Sequence, residues 1–213
     1  AWNWTHRLFE ARDSLQAENA ELREANRRLR LANLRSVVLE QENAALRGLR
    51  TRLPGVAEKW LPGEVIGTES TSLRQRLVID RGAVNGVFKS QAVVASEGLL
   101  GQTLRVGPWS TEVILLTDPE HALPVQVVRN GLRTLAVGSG DTETLTLPYL
   151  PIQSDIRDDD LLVTSGLGGV FPEGYPVGKV TQVKRDGSSP LAQVRAMPAA
   201  ALDRDRIVSF VWF

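Results

Sequence analysis

Along the first quarter of the chain the apolar positions fall on a seven-residue beat. Leu8, Leu15, Leu22 and Leu29 set it, and Leu39, Leu46 and Leu53 resume it, across residues 4–53, which hold no proline and one glycine, Gly48. A straight α-helix turns every ~3.6 residues, so a repeat of seven keeps one stripe on a partner only when helices supercoil. The pattern predicts a coiled-coil arm over residues 1–53. Asn19, Asn26 and Asn33 each follow a leucine by four positions. A seam asparagine costs stability and favours a parallel pair in one register, because each amide meets its twin only there. A rival register puts Ala11, Ala25 and Ala32 in the seam. The alternative to pairing is one amphipathic helix lying on its own domain, with Leu31, Leu34 and Val38 as its second stripe. The interval of ten from Leu29 to Leu39 is a stammer that overwinds a coil locally. The expected homodimer contacts are Leu8, Leu15, Leu22, Leu29, Leu39 and Leu46, with Asn19, Asn26 and Asn33 setting register.

At Leu53-Pro54-Gly55 the pattern changes: all eleven prolines and seventeen of the eighteen glycines lie from residue 54 onward. Proline cannot continue a helix, and glycine permits the turn that follows. From residue 64 short β-rich runs alternate with turn residues, which predicts a mainly β fold of sandwich or barrel type. Strands are expected near 64–69, 75–80, 91–96, 99–106, 111–117, 124–129, 133–138, 143–149, 161–165, 176–185, 192–198 and 206–213. Asn85-Gly86, Asn130-Gly131 and Asp186-Gly187 supply turns, and Gly107-Pro108 breaks a strand. The break between two β units is placed at Asp118-Pro119-Glu120-His121. The expected architecture is a coiled-coil helix (1–53), a linker (54–63) and two small six-stranded β-barrels. The first barrel takes residues 64–121 with 206–213 returning to complete it, and the second takes 122–205.

Lys plus Arg and Asp plus Glu both number 25, so the net charge is zero and gives no electrostatic case for nucleic acid. The absence of cysteine excludes disulfides, thiolate metal sites and a cysteine nucleophile. No run of eighteen apolar residues spans a membrane. Trp2 and Trp4 ahead of the arm are of the kind that sits at a membrane interface, with a solvent-exposed or partner-packed pair as the alternative. The sequence does not begin with methionine, which reads as a piece of a longer protein.

A family resemblance is carried by several blocks. They are Gly98-Leu99-Leu100-Gly101-Gln102-Thr103, Val106-Gly107-Pro108-Trp109-Ser110 and Leu115-Leu116-Thr117-Asp118-Pro119. Downstream come Pro124-Val125-Gln126-Val127-Val128-Arg129-Asn130-Gly131, the run 163–174 from Val163-Thr164-Ser165-Gly166 to Phe171-Pro172-Glu173-Gly174, and Pro176-Val177-Gly178-Lys179-Val180. With the hairpin-like Ile79-Asp80-Arg81-Gly82 block, they resemble the MreC family of bacterial rod-shape-determining proteins. That resemblance implies a single-pass protein whose coiled coil and barrels stand on the periplasmic face of the inner membrane. It implies a non-enzymatic scaffold of cell-wall elongation, in company with MreB, MreD, RodA and a class B penicillin-binding protein, with an anchoring helix ahead of residue 1.

The same stretches also carry residues of chemical interest. The glycine-rich block 166–178 lacks the following helix of a phosphate loop. Phe171, Pro172 and Tyr175 fill it with apolar bulk, so it reads as a tight connection against a barrel end or, if its aromatics are exposed, a partner-docking surface. His121, Asp141 and Ser165 occur in the order of a chymotrypsin-like triad and form the alternative, a serine protease. Against it, Ser165 lacks that family's flanking motif and His121 sits in a turn. Asp158, Asp159 and Asp160 are adjacent acids that point different ways and read as a solvated turn, not a metal site. No cofactor is expected. Small barrels with exposed strand edges leave room for higher self-assembly.

Overall fold

The computed structural model describes residues 59–201 and 204–212. The expected arm, with Leu8, Leu15, Asn19, Leu22, Asn26, Leu29, Asn33, Leu39 and Leu46, lies outside the described residues. Within them run twelve strands: β1 (Lys59–Thr71), β2 (Arg74–Ile79), β3 (Ala92–Val94), β4 (Leu99–Val106), β5 (Thr111–Leu115), β6 (Ala122–Val127), β7 (Arg133–Gly138), β8 (Leu145–Thr146), β9 (Leu161–Thr164), β10 (Pro176–Lys184), β11 (Gln193–Pro198) and β12 (Ile207–Trp212). A single 3-10 turn, Ala83–Asn85, follows β2.

The strands form two closed barrels, ordered β1-β12-β3-β4-β5-β2 and β10-β11-β8-β7-β6-β9. The second barrel is inserted between β5 and β12, which returns to pair with β1 and β3. So small a circumference needs strongly coiled strands, and irregularities in register supply the coiling: between Val65 and Gly67, Thr103 and Arg105, and Val180 and Gln182. At the first of these β1 changes partner, with Glu64 opposite β12 and Val65 opposite β2. Because each sheet closes on itself, the exposed edges expected from sequence are absent among the described residues. Edge-to-edge pairing therefore loses its physical basis there.

Period-two alternation explains the interiors. Leu77, Ile79, Val93, Leu100, Val113, Val208 and Phe210 fill the first barrel; Leu123, Val125, Leu145, Leu162, Val177, Val180 and Val194 fill the second. Alternation alone would leave the neighbours of Val93 and Leu100 in water. Instead Ala92, Val94, Leu99, Leu116 and Val211 are buried in one cluster with the second barrel's core. Strands β3 and β4 are thus apolar on both faces, one for their own barrel and one for its neighbour. At ~1.5–3 kcal/mol for each large side chain removed from water, this contact couples the barrels. The exposed Arg206–Glu64 ion pair, 2.9 Å, sits beside the β1–β12 pairing. Arg206→Ala is expected to change unfolding free energy by less than ~1 kcal/mol in urea denaturation, because solvent screens so open a pair.

Candidate functional site

The densest polar constellation lies where the chain leaves β5 for β6. Asp118 follows a threonine and precedes a proline, a pairing that favours a turn. The turn closes through Asp118 N–H to the Leu115 carbonyl and His121 N–H to the Asp118 carbonyl. The Asp118 carboxylate, fully buried, accepts the Gln75 backbone N–H at 2.8 Å and the Glu120 N–H at 2.8 Å. Its near neighbour Arg76 donates to Glu112 at 2.9 Å and Glu120 at 3.2 Å. The Glu112 hydrogen bond leads the interactions that raise the Arg76 pKa. Gln75 closes the constellation by donating its side-chain amide to the Gly140 carbonyl at 3.1 Å. Gly138 must be glycine here, since a Cβ would stand 2.1 Å from the Asp118 carbonyl oxygen.

His121 sits at the end of this turn, 3% exposed, with its ring edge-on to Phe171 at 6.1 Å between centroids. Burial pushes its pKa down to about 4, against a smaller upward pull from Asp118. The imidazole is therefore neutral near pH 7.

The sequence-expected sites fare differently. Phe171 and Tyr175 are buried, at 5% and 6% exposure, and belong to the second barrel's core. The exposed-aromatic docking loop is corrected accordingly, because the aromatic rings face the core and Pro172 is half-buried. The tight-connection reading describes it: the Thr164 hydroxyl donates to the Pro172 carbonyl and accepts the Tyr175 N–H. Gly174, at φ 90°, makes the turn between them. Burial raises the Tyr175 pKa.

His121, Asp141 and Ser165 do not assemble into a triad. Neither imidazole nitrogen has a hydrogen-bond partner. Asp141 is exposed and accepts from Glu143 N–H and the Thr144 hydroxyl. Ser165 is buried, and its hydroxyl accepts from Leu167 N–H at 3.4 Å.

The acidic run diverges as expected, but not all of it is solvated. Asp159 pairs with Lys179 at 2.7 Å on the surface, whereas Asp160 is buried and accepts from Arg129 at 2.8 Å. Arg129 also grips Asp155 at 2.7 Å. That hydrogen bond leads the causes holding the Asp155 carboxyl down to about 2, and Arg129 likewise lowers Asp160. No group of His, Asp and Glu that could hold a metal ion occurs among the described residues. No described helix is long and apolar enough to cross a membrane.

Residues 65–212, nearly all of both barrels, match the family described as rod shape-determining protein MreC, barrel core. The chain belongs to the MreC family. It is 42% identical over 205 residues to the cell shape-determining protein MreC of Escherichia coli strain K12, covering 95% of this chain and 55% of that protein. The chain thus spans about half the length of that relative. The crystal structure of MreC from Pseudomonas aeruginosa is similar at TM-score 0.70 and 48% identity, covering 73% of this chain and all of that one. A structure described as a complex between penicillin-binding protein (PBP2) and MreC from Helicobacter pylori shares the fold at TM-score 0.54 and 18% identity, over 73% of this chain and 99% of that one. What sequence reasoning missed is the turn itself: Asp118-Pro119 reads as a domain break, and nothing local shows that its carboxylate is buried against β2.

Proposed function

We propose that this MreC-family chain belongs to a non-enzymatic periplasmic scaffold that maintains rod cell shape by holding cell-wall synthesis enzymes. The observation that supports it best is the pair of coupled closed barrels matching the family's barrel core across residues 65–212. Two closed barrels packed through a shared apolar cluster suit docking. In this reading residues 1–53 are a coiled-coil stalk joined to the first barrel by residues 54–58, the expected linker of 54–63 being shortened because Lys59–Gly63 already pair with β12 as part of β1. Residues 59–121 with 206–213 form one binding unit, and residues 122–205 the other. About fifty helical residues at ~1.5 Å each reach roughly 75 Å, enough to hold the barrels off the periplasmic face of the inner membrane. Leu8, Leu15, Leu22, Leu29, Leu39 and Leu46 pair two chains, with Asn19, Asn26 and Asn33 setting register. Trp2 and Trp4 lie near a membrane anchor that precedes residue 1. The partners are a class B penicillin-binding protein, RodA, MreD and MreB; the Helicobacter pylori complex is a precedent for the first among proteins of this fold.

Two measurements test it. Sedimentation is expected to give a dimer for the whole chain and a monomer for residues 54–213; equal monomeric masses would remove the stalk pairing. The purified chain is expected to retain the periplasmic domain of a class B penicillin-binding protein in co-purification, and failure to do so would overturn the scaffold assignment. Hydrolysis of a peptide library, abolished by Ser165→Ala, would replace it with an enzyme.

A further inference from the structure

The outside of a water-facing antiparallel barrel should be polar, because only its inner face has a core to fill. One side of the second barrel departs from this. Register sets Met197 beside Lys179 and Lys179 beside Leu161. Just past β6, Val128 N–H donates to the Leu161 carbonyl at 2.9 Å. A single outward row therefore crosses β11, β10, β9 and the end of β6, and its apolar members Met197, Leu161 and Val128 are 51%, 55% and 55% exposed. On the same face Val163 lies beside Gln126, and Pro124 beside Leu135, all half-buried. Opposed cross-strand residues stand ~4.5–5.5 Å apart, so Val128, Leu161, Val163, Pro124 and Leu135 gather into one patch, with Met197 set off from it by Lys179.

The patch has a cationic rim. Arg133 is opposite Gln126, and exposed Arg195 stands two positions before Met197 on the same face of β11. At the β9 end the rim is mixed: Lys179 crosses the row paired with Asp159, and Asp158 beside it is exposed.

We propose that this face of the second barrel is the docking surface for a protein partner whose contact face has an apolar centre and an acidic rim. The assignment rests on the scaffold reading, with the cell-wall enzyme as that partner. A second copy of the chain fits less well, since a self-complementary pairing would bring the Arg133 and Arg195 rims of both copies into one contact. A lipid surface fits less well too, because the patch offers no tryptophan or tyrosine among its members.

The test measures binding of the whole chain to the purified periplasmic domain of a class B penicillin-binding protein. Leu161→Glu is expected to weaken it at least ~30-fold, as expected for a buried charge at an interface centre, with an unchanged melting temperature showing that the fold survives. Arg133→Glu is expected to slow association by roughly three- to tenfold at low salt, an effect that fades at high salt. Trp109→Glu, on the exposed β4–β5 turn of the first barrel, should leave affinity unchanged. If the wild-type chain binds and Leu161→Glu binds equally well, the surface is overturned while the scaffold reading stands. If the wild-type chain does not bind, the reading falls and the surface with it. Retained enzyme binding in Leu161→Glu, together with lost self-association or lost binding to anionic phosphatidylglycerol vesicles, would hand the face to a second copy or to lipid and overturn the proposal.

Discussion

Replacing Asp118 by alanine should lower the unfolding free energy by about 4 kcal/mol. The carboxylate is fully buried and accepts two backbone N–H groups, that of Gln75 at the start of β2 and that of Glu120 in its own turn. Alanine leaves the buried Gln75 donor without an acceptor, which costs ~1–3 kcal/mol, and removes the turn hydrogen bond from Glu120, on an exposed residue, at about 1 kcal/mol more. It also removes a negative charge 3.7 Å from the Arg76 guanidinium, which is one-tenth exposed. Glu112 and Glu120 still neutralise that arginine, so the donors dominate the loss. Asp118→Asn keeps an acceptor oxygen and should lose about half as much. Because Asp118 ties β2 of the first barrel to the segment that starts the second, both barrels should melt in one transition in the wild-type chain. Urea unfolding followed by tryptophan fluorescence and by far-ultraviolet circular dichroism measures this, and a loss under ~1 kcal/mol for Asp118→Ala would discard the account.

That residue also shows where sequence reading runs out. Except at Lys59–Gly63, expected as linker but part of β1, strand positions were legible in the described barrels, because alternation in runs such as Gln193 to Pro198 has the period of a pleated sheet and the turns carry glycine, asparagine or proline for steric reasons. Two closed six-stranded barrels were legible too. Packing between them was not. Val93 and Val94 are adjacent valines, one filling the first barrel and the other buried with the second barrel's core. In sequence such a pair merely weakens the alternation. Tertiary placement likewise decided between the two readings of the aromatic loop: the rings of Phe171 and Tyr175 face the core, as a tight connection against the barrel requires. His121 has the chemistry of a general base only if something orients it, and the structure gives neither nitrogen a partner. The outer patch around Leu161 comes from register alone, which sets residues of separate strands side by side.

The neutral imidazole of His121 should make the chain sensitive to mild acid. Burial is the main cause of its lowered pKa, about 4 in the folded chain against 6.5 for an unperturbed histidine, and Asp118 opposes the shift. Between those values the unfolded chain binds a proton that the folded chain refuses. Stability is therefore fully present above pH 6.5 and falls as pH drops from 6.5 through 4, by roughly 2 kcal/mol between pH 7 and pH 4.5. The groups around the ring support this window: Phe171 meets it edge-on, Asp118 is engaged by two backbone donors, and Glu120, the turn's other acid, is exposed and paired with Arg76. The Asp155 carboxyl, held down to about 2 by Arg129, is lost only at lower pH, from about 3.8 downward, so the two effects separate. His121→Leu removes two unpartnered buried nitrogens and keeps apolar bulk against Phe171. It should stabilise the chain at pH 7 by about 1 kcal/mol and flatten the slope from pH 7 to 4.5. His6 is common to both proteins and cancels in the comparison. Parallel urea titrations at pH 7 and pH 4.5 decide it: equal losses in wild type and His121→Leu would mean that another group carries the acid sensitivity.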